Sequence, residues 1–153
     1  MAFLTIHGRS VAYRLLGAEA NPLVVMAHPL GMTQAVWDDV LARLLPRYRV
    51  LTLDLPGHGA SQAWPVDGGD ITPADLALEA LALADHAGAD EMKALGTSIG
   101  GVVGQQLIAA HGKRLLSATL TNTGACARKG WRRWPARSCR AGSPPPWSRP
   151  IRR

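Results

Sequence analysis

Cysteine is missing from residues 1–125; both cysteines, Cys126 and Cys139, lie beyond them. That excludes a disulfide framework, a thiolate metal site and a cysteine nucleophile from the body of the chain. The pair in the tail fits no metal motif and reads as incidental thiols. No run of 18 apolar residues occurs, so no membrane span is expected. The start, Met1 to His7, turns polar too soon for a signal peptide. The expected setting is the cytoplasm. Acidic residues are also absent after Glu91, and beyond Ser98 the only histidine is His111.

The charge that is present is divided. Residues 1–125 hold 8 Lys+Arg and all 11 Asp+Glu, whereas residues 126–153 hold 9 Lys+Arg and no acid. The formal net charge of +6 therefore describes the tail rather than the body. The expected organisation is a folded part over residues 1–124 and a basic tail rich in Pro, Arg and Trp over residues 125–153.

The body alternates apolar runs of two kinds. Phe3–His7 and Val11–Leu16 flank Gly8-Arg9-Ser10 and predict an antiparallel strand pair. Leu23–Ala27 predicts a buried parallel strand, Tyr48–Leu53 and Met92–Thr97 two more, and Leu115–Thr121 another. Between them, Gln34–Leu45 has helical spacing and ends at Pro46. Thr72 predicts a helix cap with Pro73 behind it, and Leu76, Leu78, Ala80, Leu81 and Leu83 an apolar face. Ile99–His111 predicts the last helix. Strand and helix alternating from 23 to 121 predict an open, mostly parallel α/β sheet with flanking helices. Ligands bind such sheets at the carboxyl ends of the strands, where the loops His28–Met32, Asp54–Ser61 and Thr97–Gly101 fall.

The third of these loops reads Gly96-Thr97-Ser98-Ile99-Gly100, Gly-x-Ser-x-Gly between a strand and a helix. In a nucleophile elbow a serine occupies a sharp, strained turn, and the flanking positions lack bulk because strand and helix cross closely there. The plainer reading is a Gly-rich turn in which Ser98 only caps the helix. Asp54 and His58 are read as loop hydrogen-bonding residues, the alternative being a displaced triad member, and His7, His86 and His111 as surface or capping histidines.

Residues 1–124 resemble the N-terminal half of an α/β-hydrolase-fold enzyme, most like the 3-oxoadipate enol-lactonase type. The resemblance rests on VVMAHPLGM, the helix with Trp37-Asp38, YRVLTLDLPGHGAS, LGTSIGGVVGQQLIAAH and LLSATLTNTGA, in the family's order. It implies that Ser98 is the nucleophile toward a small-molecule ester or lactone. It further implies that the backbone N–H groups of Leu30 and Ile99 form the oxyanion hole, and that His28 and Gly31 contact substrate. No cofactor and no metal is implied. The departure is that the triad order Ser, then Asp or Glu, then His has no candidates here. The lid and last strands of the family are missing as well. The expected chain is therefore an inactive, truncated hydrolase whose tail is disordered or the product of a frameshift near residues 122–128. The alternative is a non-catalytic α/β fragment with a polyanion-binding basic tail, the one route by which nucleic acid would be a partner.

Overall fold

The computed structural model describes residues 1–65 and 69–124. The tail expected over residues 125–153 lies outside the described residues. Six strands, β1 (Ala2–Ile6), β2 (Arg9–Leu16), β3 (Leu23–Ala27), β4 (Arg49–Leu53), β5 (Met92–Thr97) and β6 (Leu115–Thr121), form one sheet in the order β1-β2-β4-β3-β5-β6. The first two pairings are antiparallel and the remaining three parallel. Three helices connect the parallel strands: α1 (Asp38–Leu44), α2 (Pro73–His86) and α3 (Ile99–His111).

Side chains on a strand alternate between faces, and the core divides accordingly. Leu23, Val25 and Ala27 of β3 enter the larger cluster, with α2 and α3 residues such as Leu76, Leu83, Val103 and Leu107. Val24 and Met26 enter a smaller one with Leu41 of α1 and Val50 of β4. The central strand is thus covered on both sides, which is why its five residues are all apolar.

Three local expectations are corrected. Arg9 and Ser10 belong to β2, because the turn needs only His7 and Gly8, both at positive φ (49° and 76°). The run from Gln34 opens as a 3-10 turn, Gln34–Trp37, before α1 begins at Asp38, and Val36 and Val40 stay exposed. On α2, Leu78 is exposed, while Glu79 takes a buried position in the apolar face. The cap of α2 is as expected: Thr72 accepts from Asp75 N–H, and the Asp75 carboxylate accepts from Thr72 N–H at 2.8 Å.

β3 has β4 on one side and β5 on the other, so the chain reverses its direction of travel at β3. Ala27 pairs with Leu53 and with Gly96, which aligns the carboxyl ends of the three strands. The loops at residues 28–32, 54–61 and 97–101 therefore converge. Among the described residues β6 is the outer strand on the parallel side of the sheet, as β1 is on the other, and it leaves Leu116 exposed. No helix among the described residues is long and apolar enough to cross a membrane.

Candidate active site at the strand ends

Ser98 joins β5 to α3 with φ 54° and ψ −119°, a backbone conformation costly for any side-chain-bearing residue. Its hydroxyl makes no capping bond, which removes the reading of Ser98 as a helix cap. The turn is held by the main chain: Ser98 N–H donates to the Thr121 carbonyl of β6 at 3.0 Å. The hydroxyls of Thr97 and Thr121 meet at 2.7 Å beside it. The glycines around Ser98 are required by proximity. A Cβ on Gly96 would meet the Gly100 carbonyl, and one on Gly100 would meet the Ala27 carbonyl at the end of β3.

Such strain is measurable. Ser98→Gly is expected to be more stable to urea than Ser98→Ala by about 1–3 kcal/mol, because glycine tolerates positive φ and alanine does not. Equal midpoints for the two variants would show that the turn stores no strain.

Ser98 and Ile99 line a cavity of about 520 Å³ together with Leu30 of the first loop and His58 of the second. Its wall is mainly apolar, with Leu55, Ile71, Leu76 and Val102 among the lining residues. Among the described residues no lysine or arginine lines it. The backbone N–H groups of Leu30 and Ile99 find no acceptor among the described residues. The N-terminus of α3 adds its partial positive charge at Ser98. Ser98, Ile99 and Leu30 are therefore brought to one place.

His28 and Gly31 stand differently: neither is among the lining residues. His28 is fully buried; its Nε2 accepts from Leu55 N–H at 3.0 Å, and its Nδ1 lies 2.8 Å from the Pro29 carbonyl. Gly31 donates its N–H to His58 Nε2 at 3.1 Å. Asp54 is a loop organiser, as expected. One carboxylate oxygen accepts from Gln34 N–H at 2.7 Å, the other from the Gln34 side chain and Ala60 N–H. His58 makes loop hydrogen bonds, as expected of it, and its link to Gly31 joins two segments distant in sequence. His111 is at the far end of α3, 13 residues or roughly 20 Å from Ser98 at about 1.5 Å per residue. Among the described residues no three His, Cys, Asp or Glu side chains gather as a metal set.

Burial pushes the His28 pKa below the ordinary imidazole value; the Pro29 carbonyl opposes this, nearby His58 adds to it, and Asp54 opposes it. A proton on His28 thus favours the unfolded chain. Stability is expected to be full above about pH 6.5 and to fall as the pH drops below it, by up to about 1.4 kcal/mol per pH unit. The fall ends once folded His28 titrates. Urea unfolding between about pH 8 and 5 measures the slope, and His28→Gln should flatten it. An unchanged slope in that variant would assign the acid sensitivity elsewhere.

The pattern described as alpha/beta hydrolase fold matches residues 22–138. Pimeloyl-(acyl-carrier protein) methyl ester esterase of Pectobacterium carotovorum is 32% identical over 113 residues, covering 72% of this chain and 41% of that protein. 3-Oxoadipate enol-lactonase 2 of Acinetobacter baylyi is 30% identical over 122 residues, 80% of this chain and 45% of that one. Among solved structures, the enol-lactonase from Burkholderia xenovorans superposes with a TM-score of 0.76 at 30% identity, over 80% of this chain and 47% of that one. The chain spans less than half the length of each of these relatives.

Proposed function

Because the chain belongs to the alpha/beta hydrolase fold family, we propose that it carries the nucleophile and oxyanion half of a serine hydrolase acting on a carboxylic ester or an enol-lactone. The observation that carries this reading is the uncapped Ser98 at φ 54°, facing the same cavity as Leu30 and Ile99. Ser98 Oγ attacks the acyl carbonyl carbon, its proton passes to solvent, and the carbonyl π electrons move onto oxygen; their return expels the alcohol or enol oxygen, which takes a proton from solvent. Leu30 N–H and Ile99 N–H donate to that oxyanion. The described part of the wall, mainly apolar and without Lys or Arg, favours an uncharged acyl group over one bearing a carboxylate.

No Asp or Glu follows Ser98, and His111 is a helix length away. Nothing in this chain then takes the Ser98 proton in the manner of a triad histidine, and donors alone sustain only a small residual rate. The chain by itself is thus an inactive form that retains a reactive-serine geometry.

A fluorophosphonate probe tests this directly. Slow labelling at one site, mapped to Ser98 and lost in Ser98→Ala, is expected, with p-nitrophenyl ester turnover near the solvent background. Labelling at a different residue, or equal labelling of wild type and Ser98→Ala, refutes the assignment.

A further inference from the structure

The two neighbouring loops that contribute to the cavity lining are stitched by two histidine bonds running in opposite directions. His28 of the first loop accepts from Leu55 N–H of the second. His58 of the second accepts from Gly31 N–H of the first, at 3.1 Å. The remaining nitrogen of each ring faces a carbonyl, Pro29 at 2.8 Å from His28 Nδ1 and Pro56 at 3.0 Å from His58 Nδ1. A carbonyl only accepts, so both Nδ1 atoms carry the hydrogen and both Nε2 atoms present a lone pair. The ring centroids are 5.1 Å apart.

The two histidines are not equivalent. His28 is sealed in the interior, whereas His58 lines the cavity with Ser98 and Leu30. Leu30 is 71% exposed, so side-chain packing does not hold its main chain in place. Among the described residues, hydrogen bonds hold that stretch at Pro29, whose carbonyl accepts from Met32 N–H and His28 Nδ1, and at Gly31, whose N–H donates to His58. Gly31 is at φ 76°, so the chain swings round there, and its N–H belongs to the peptide unit that begins at the Leu30 carbonyl. Fixing that unit fixes the backbone on which the Leu30 N–H is carried.

We propose that His58 is a positioning residue for the oxyanion loop. Its neutral Nε2 holds Gly31 N–H away from the substrate oxygen and sets the direction of Leu30 N–H toward it. The role rests on the reading of Leu30 as an oxyanion donor. The His28 ring lies against His58, and Asp70 and Ser98 line the same cavity.

The test compares wild type with His58→Phe and His58→Gln in the full chain. Phenylalanine fills the ring's space without an acceptor, and glutamine offers Oε1 at a similar reach. Gly31 amide exchange, followed by NMR, is expected to speed up at least about tenfold in His58→Phe, with Ser98 labelling slowed by about tenfold or more. Glutamine should restore both. Wild-type exchange at Gly31 in His58→Phe, or labelling of that variant at the wild-type rate, overturns the positioning role. A wild-type chain that is not labelled at all instead overturns the hydrolase reading, and the oxyanion role with it.

Discussion

Arg9→Met is expected to destabilise the fold by about 3–5 kcal/mol, a large part of the total for a domain of this size. Arg9 is 1% exposed on β2, and its guanidinium pairs with Glu79, 0% exposed on α2. The same guanidinium donates to the Gln62 carbonyl and lies 5.2 Å from the Trp64 ring centroid. Removing the arginine leaves a carboxylate buried without a counter-charge, and that desolvation is the cost. Burial already raises the Glu79 pKa, against the opposing pull of Arg9. In Arg9→Met that opposition is gone, so the folded state binds a proton more readily than the unfolded chain does. The variant should regain stability as the pH falls through the raised Glu79 value. The double variant Arg9→Met/Glu79→Leu should recover most of the loss, since Arg9 Nε and Glu79 Oε2 find no partner among the described residues even in the wild type. Urea unfolding of the three proteins decides it; a double variant no more stable than Arg9→Met would mean that the pair contributes more than it costs to bury.

The second large effect belongs to Gly100. Gly100→Val is expected to destabilise by at least the upper part of about 1–3 kcal/mol and to slow Ser98 labelling with it. The added carbon would meet the Ala27 carbonyl and crowd the His28 carbonyl, and backbone cannot swing aside as a side chain would. α3 would be pushed off β3, which feeds the 28–32 loop. Gly112→Ala is the control: its Cβ would meet nothing within 4 Å and its φ is −55°. It should leave stability unchanged or raise it by up to about 1 kcal/mol. A Gly100→Val protein as stable as Gly112→Ala would show that the helix and strand do not cross as closely as described.

The sheet was legible because its strands follow apolar patterns: Leu23–Ala27 is a continuous apolar run, and Met92–Thr97 alternates buried Met92, Ala94 and Gly96 with half-buried neighbours, each where the sequence predicts a strand. The turn at Ser98 was legible from Gly96 and Gly100, whose lack of a side chain is the geometry itself. The Arg9–Glu79 pair was not, since a polar residue beside a turn reads as part of the turn. The available signal was Glu79 itself, set between Leu76 and Leu83 on the buried face of α2. The His28–Leu55 and Gly31–His58 bonds were illegible for another reason. They join residues 27 apart through backbone donors, and no side-chain pattern announces a backbone donor.

The position of β3 between β4 and β5 also has a consequence in time. As the chain is synthesised, β3 meets β4 early, but its other edge waits for β5, and Ala27 pairs with Gly96 only about 70 residues later. At typical elongation rates that is an interval of roughly 4–14 s. Through it the five apolar residues of Leu23–Ala27 keep one row of backbone donors and acceptors unpaired. The nascent chain is thus most exposed to misassociation just before the elbow is made. Slowing translation between β4 and β5 should lower the soluble yield more than slowing it anywhere after β5.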